Sequence, residues 1–192
     1  MSRIALALSA VLVASNAWAD ELFLAEAQAP VALFGSGMVG EAGVLHLNDA
    51  ELHELSLAVG RRVEQRDYRY LSIRPPADGG FAGGLAAAVG VIFVLDVVGQ
   101  TLPITFAVGV RDDQTLQDVQ VMVYREPYGR EINERRFRAQ FRGKTKSDPL
   151  TVEKDVSAVS GATISSRSAT YAARKGLALS AILWNRLGAK LP

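Results

Sequence analysis

Residues 89–124 read VGVIFVLDVVGQTLPITFAVGVRDDQTLQDVQVMVY. Three apolar, largely β-branched runs are separated by two turn signals. Val89–Val98 ends at Gly99-Gln100, and Leu102–Val110 ends at Arg111-Asp112-Asp113. Leu116–Tyr124 alternates at Val119, Val121 and Val123. Runs of this length and composition read as strands. Connections of a few residues join antiparallel neighbours, whereas parallel strands need a crossover of about a dozen residues or more. The stretch therefore predicts an antiparallel meander.

Downstream, Glu131–Phe141 reads as a helix with Phe137 and Phe141 four apart on one face. Ile164–Leu187 reads as a longer helix, interrupted at most by Gly176. Upstream, Asn48 or Asp49 can cap a helix running to about Val59, with Leu52, Leu55 and Val59 on one face. Tyr68–Arg74 looks like a short strand, and Pro75–Gly84 like a loop or joint rich in Pro and Gly. The predicted fold class is α+β: an antiparallel meander packed with helices, with a small-residue loop leading into the C-terminal helix. No internal repeat is visible.

The chain has 192 residues, a formal net charge of +1 and no cysteine. Without cysteine it has no disulfide, no thiolate-held iron–sulfur cluster and no c-type haem attachment. His46 and His53 are its two histidines and form no H-x-x-E-H arrangement, so a dedicated metal site is not expected. Arg3, the apolar run from Ile4 to about Ser15, and Ala17-Trp18-Ala19 have the layout of a secretory signal peptide cut before Asp20. An uncleaved membrane anchor is the alternative. The expected organisation is a signal peptide over 1–19, an N-terminal helix-and-strand region over 20–84 and a second region over 85–192. Charge is unevenly distributed. Residues 20–60 carry acids and no Lys or Arg, while 61–74 and 125–146 are Arg-rich. With a near-neutral total there is no global electrostatic case for nucleic acid.

The chemistry concentrates in Ser157-Ala-Val-Ser-Gly-Ala-Thr-Ile-Ser-Ser-Arg-Ser168. Small residues feed a helix whose first N–H groups are free, and the helix dipole favours an anion there. Gly161 and Ala162 leave room for a phosphate, and Thr163, Ser165 and Ser166 offer hydroxyls. The same residues also suit an ordinary Ser/Thr cap. Local physics leaves both readings open.

Ser160-Gly161-Ala162-Thr163 resembles the S/T-G-A-T flavinylation motif of the FMN-binding domain family. That family includes the flavin subunits of the sodium-translocating NADH:quinone reductase and Rnf complexes, and regulators of nitrous-oxide reductase. Val97–Gly109 is similar to the family's strand–turn–strand. Tyr124-Arg-Glu-Pro-Tyr-Gly-Arg-Glu-Ile132 resembles its R-E-x-x-G-G-E loop. Phe137 through Phe141-Arg-Gly-Lys144 resembles its Q-F-x-G-K segment. The similarity covers roughly 85–187. It implies one FMN joined through its phosphate to the Thr163 hydroxyl by a dedicated flavin transferase. Ser160, Gly161, Ala162, Ser165, Ser166, Glu126, Gly129 and Lys144 are the implied cofactor-binding neighbours. The family pattern usually carries an acid three residues before the Ser. Here that position is Ser157, and Asp155 lies two residues earlier.

Arg125, Arg130 and Lys144 are candidates to stabilise negative charge on a reduced flavin ring. Tyr124 and Tyr128 flank the Glu126-Pro127 turn and are suited either to stack on a ring or to pack the sheet edge. Glu126 is suited either to bond the flavin or to brace its loop. The Arg135–Arg142 cluster reads as a dock for an acidic redox partner or as a solvated helix face. Phe34-Gly-Ser-Gly-Met-Val-Gly40 has the form of a dinucleotide fingerprint but lacks βαβ context, and reads as a glycine-rich turn. The resemblance implies a periplasmic electron carrier, matured by the transferase and exchanging electrons with a membrane or periplasmic redox protein. The alternatives are a flavin-dependent reductase of a small substrate and a non-redox module that binds no flavin.

Overall fold

The computed structural model describes residues 20–76 and 88–187. The expected signal peptide and most of the expected 75–84 joint lie outside the described residues. Six strands form one antiparallel sheet: β1 (Glu21–Leu22), β2 (Val39–His46), β3 (Asp67–Arg74), β4 (Gly90–Val98), β5 (Pro103–Arg111) and β6 (Leu116–Tyr124). Their order across the sheet is β1-β6-β5-β4-β3-β2. The expected meander is its centre, with every neighbour pair antiparallel. Among the described residues four α-helices accompany it: α1 (Ala29–Phe34), α2 (Asp49–Val59), α3 (Arg135–Arg138) and α4 (Thr163–Arg186).

Strand alternation divides the apolar residues between two faces. Val91, Phe93, Leu95 and Val97 of β4 point to one face with Ile104, Phe106 and Val108 of β5. There they meet Leu177, Ile182 and Trp184 of α4 and Leu55 and Val59 of α2. Ile92, Ala107 and Met122 point the other way, against Ala29 and Leu33 of α1. Residues 20–74 thus supply two of the sheet's long strands and helices on both of its faces.

α2 begins as expected. The Asn48 side chain accepts from the Glu51 N–H while the Glu51 carboxylate accepts from the Asn48 N–H, a full capping box. α4 runs through Gly176 without a break. A Cβ at Gly176 would stand 2.4 Å from Val108 Cγ1, so the glycine lets the helix lie close on β5.

The expected helix over 131–141 is not continuous. It is a 3₁₀ turn at Arg130–Asn133, then α3, then a second 3₁₀ turn at Ala139–Phe141. Glu134 takes extended backbone between the first two. The Asn133 side chain accepts from the Val121 N–H of β6, which anchors the first turn to the sheet. Phe137 and Phe141 still pack together, edge to face, with centroids 5.4 Å apart. α1 and the strands β1 and β2 were not foreseen. β2 lies at the sheet edge and is mostly exposed, so its sequence lacks the apolar alternation of a half-buried strand. Gly35 and Gly37 form a turn at positive φ, and Gly40 already lies in β2, so a strand rather than a helix follows.

Candidate functional site

The loop 157–162 delivers the chain to the start of α4. Gly161 sits at φ +78°, a conformation that favours glycine, with open space where a Cβ would be. The N-cap position is Ala162, which has no side chain to cap with, so Thr163 is the first helical residue and not the cap. The first intrahelical bond runs from Ser166 N–H to Ala162 C=O. Among the described residues no side chain caps the helix, and the N–H groups of Thr163, Ile164 and Ser165 meet no acceptor. The ordinary-cap reading is therefore excluded.

The three hydroxyls separate. Thr163 is exposed and lines a cleft of about 230 Å³ together with Gln100, Glu126, Pro127, Tyr128 and Ser165. Ser165 is buried and bonds Tyr124 Oη at 2.8 Å. Tyr124 Oη also donates to the Tyr128 C=O, so it accepts from Ser165. Burial pushes the Tyr124 phenol up, the Ser165 bond partly opposes this, and Glu126 and Glu131 add to the rise. Tyr124 thus stays protonated at neutral pH. Ser166 has no exposure. Its Oγ donates to the Ala162 C=O and accepts from the Val159 N–H, so it stitches the loop together from inside.

Other implied neighbours are distributed in the same way. Gly129, at φ +99°, approaches the first turn of α4. A Cβ there would fall 2.6 Å from Ser165 Oγ and 2.7 Å from Tyr124 Oη. The Glu126 carboxylate accepts from the N–H groups of Thr101 and Leu102 and so braces the β4–β5 turn. Gly99 of that turn has no room for a Cβ, which would stand 2.5 Å from Glu126 Oε1. Tyr124 is buried among the sheet's apolar residues, while Tyr128 is 80% exposed at the cleft. Ser160 lines a second cleft, with Glu134, Arg136, Phe137, Gln140 and residues 157–159.

The basic residues chosen from sequence are all engaged elsewhere. Lys144 Nζ is 2.9 Å from Asp155. Arg125 bonds Asp20, Thr105 Oγ1 and the Pro103 C=O. Arg130 faces Glu21. Asp155 also accepts from the N–H groups of Leu150 and Thr151. Burial alone would raise its carboxyl, but the Thr151 N–H, Lys144 and the Leu150 N–H outweigh that and hold it below the usual carboxylate range. It is therefore bound inward and does not stand in for an acid at Ser157. The Ser157 N–H donates to Gln140 Oε1, and Gln140 Nε2 donates back to the Ser157 C=O. Gln100 and Ile164 line the Thr163 cleft without having been singled out. Gln100 had no signal beyond its place in a turn. Among the described residues no cluster of three metal-ligating side chains occurs.

Residues 99–178, from the β4–β5 turn to most of α4, match the family model of the FMN-binding domain. This stretch is similar to an FMN-binding domain. The match spans both walls of the Thr163 cleft, since Gln100, Glu126–Tyr128 and Gly161–Ser165 all fall within it. No curated protein matches the sequence. The residues around Thr163 fit a phosphorylated ligand. They offer unpaired N–H groups at the start of a 24-residue helix, an exposed hydroxyl among them and an adjacent cleft.

Proposed function

We propose that this protein is an extracytoplasmic electron carrier that holds one FMN through a phosphoester to the Thr163 hydroxyl. FMN supplies one- and two-electron exchange when bound. The observation that carries the reading is the exposed Thr163 hydroxyl, at an uncapped helix start and on the rim of the cleft. The free N–H groups of Thr163, Ile164 and Ser165 would face the phosphate. Tyr128 is exposed at the cleft and available to lie against the ring, and Glu126 and Gly129 hold the two walls in register. Extracytoplasmic location rests on the signal-peptide layout of residues 1–19. A covalent tether suits that setting, where lost cofactor is not readily replaced.

The test is to export the protein in a host making a flavin transferase and to weigh the mature chain. Wild type should begin at Asp20 and gain the mass of one FMN less water, and the label should persist through denaturation. Thr163→Ala should carry none, while Ser165→Ala should keep it. A label undiminished in Thr163→Ala would overturn the attachment site. An unlabelled, correctly cut wild-type chain would favour the flavin-free module.

A further inference from the structure

Among the described residues most arginines are paired; half-buried Arg174 has no carboxylate within ion-pair distance, and the exposed exceptions lie near one loop. Arg62, Arg66, Arg69, Arg74, Arg111, Arg125, Arg130 and Arg186 each lie within 4 Å of a carboxylate. Arg61 lies over the Tyr171 ring. Arg138 and Arg142 share the buried carboxylate of Asp118. Among the described residues, the exposed arginines with neither a carboxylate nor a ring beside them are Arg135, Arg136 and Arg167. Arg136 lines the cleft formed by Ser157–Ser160, and Arg135 precedes it. Arg167 follows Thr163 by four residues on α4, which puts the two on one helix face. The unpaired exposed guanidiniums thus lie beside residues 157–160 and one helical turn beyond Thr163.

An unpaired cation one turn into a helix is also electrostatically unfavourable, because that end already carries partial positive charge. Glu134 is the one carboxylate lining the Arg136 cleft. Phe137, Ala158 and Val159 line the same cleft and offer apolar contact between the charges. Segment 125–146 as a whole holds eight basic residues and three acidic ones.

We propose that Arg135, Arg136 and Arg167 form the docking surface for an acidic protein partner, seated over the loop that precedes Thr163. Like-charged basic carriers would be turned away from the same face. That the partner exchanges electrons rests on the function proposed above. The surface itself rests on the arginines alone, so it is tested without flavin.

The experiment is a titration of the flavin-free mature protein with poly-L-glutamate at low salt, followed by amide NMR. Shifts should concentrate at 134–140, 157–163 and 167, and should fade as salt is raised. Arg135→Glu/Arg136→Glu/Arg167→Glu should weaken binding by about tenfold or more. Arg62→Glu/Arg111→Glu, a reversal at two paired arginines away from the loop, should leave it near wild type. Retained amide dispersion in both variants shows that folding is intact. Shifts centred on another face, or equal loss in both variants, would overturn the surface. A protein that takes no flavin yet binds poly-L-glutamate at this loop would refute the carrier and keep the dock.

Discussion

Thr163, Ser165 and Ser166 lie within four positions and do different work, because a helix rotates each by about 100° relative to the last. Thr163 faces solvent, Ser165 faces Tyr124, and Ser166 faces back into its own loop. Lys175, further along the same helix, has the opposite problem from the free arginines. It is 5% exposed, lies 4.7 Å over the Tyr68 ring and has no carboxylate within ion-pair distance among the described residues. Burial, reinforced by Arg61 and opposed by Asp96, brings its pKa down to about 8. The folded state then holds fewer protons than the unfolded state between about pH 8 and the ordinary lysine value. Stability rises with pH through that window, and below it the full cost of charging Lys175 is present. Lys175→Met should therefore be more stable at pH 7, by on the order of 2 kcal/mol, part of the charging cost being offset by the ring contact. Chemical denaturation at pH 7 and pH 10 checks this. The advantage of the variant should shrink at the higher pH, and an advantage unchanged by pH would contradict it.

At the scale of elements, α4 joins the site to the core. Its N-terminus holds Thr163, and its middle rests on β5 through Gly176 and Val108. In an exposed helix, Gly→Ala gains about 1 kcal/mol. Here the added methyl meets Val108 at 2.4 Å, and overpacking of this kind costs about 1–3 kcal/mol. Gly176→Ala should therefore be destabilising on balance, which a urea midpoint measures. A midpoint raised by the substitution would show that the helix can lift off β5 freely. The discontinuous 130–141 segment illustrates the limit of periodicity. The four-residue spacing of Phe137 and Phe141 predicted their shared burial correctly, but not the extended residue at Glu134. At the break the Asn133 side chain accepts from the Val121 N–H of β6, a contact that helical spacing does not reveal.

For the whole molecule, the family match begins at residue 99, yet the sheet does not. β3 pairs with β4 from Tyr70↔Phe93 to Ile73↔Gly90, and β2 lies beyond it. Leu45, Leu47, Leu55, Val59 and Tyr68 belong to the same buried cluster as the α4 residues. Arg186 near the end of α4 bonds Glu51 and the His46 C=O. A fragment comprising residues 88–192 would expose the edge of β4 and one flank of that cluster. It should fail to give a dispersed amide spectrum or a cooperative thermal transition when purified alone. Adding residues 20–76 as a separate chain should restore structure. A cooperative transition in the fragment by itself would show that the N-terminal segment is dispensable.

The strand meander, the capped helix at 48–59, the long terminal helix and the small-residue loop before Thr163 were legible in the sequence. Each rests on neighbours within a few positions: alternation, a capping pair, a turn, a motif. Which hydroxyl faces the cleft, that Glu126 holds a turn, that Lys144 and Asp155 satisfy each other, and which arginines are left unpaired were decided only by tertiary structure. Those outcomes depend on side chains meeting from different elements, 11 residues apart for Lys144 and Asp155 and 24 for Leu102 and Glu126. A pairing of that kind is set by packing and charge in three dimensions, and no local pattern encodes it.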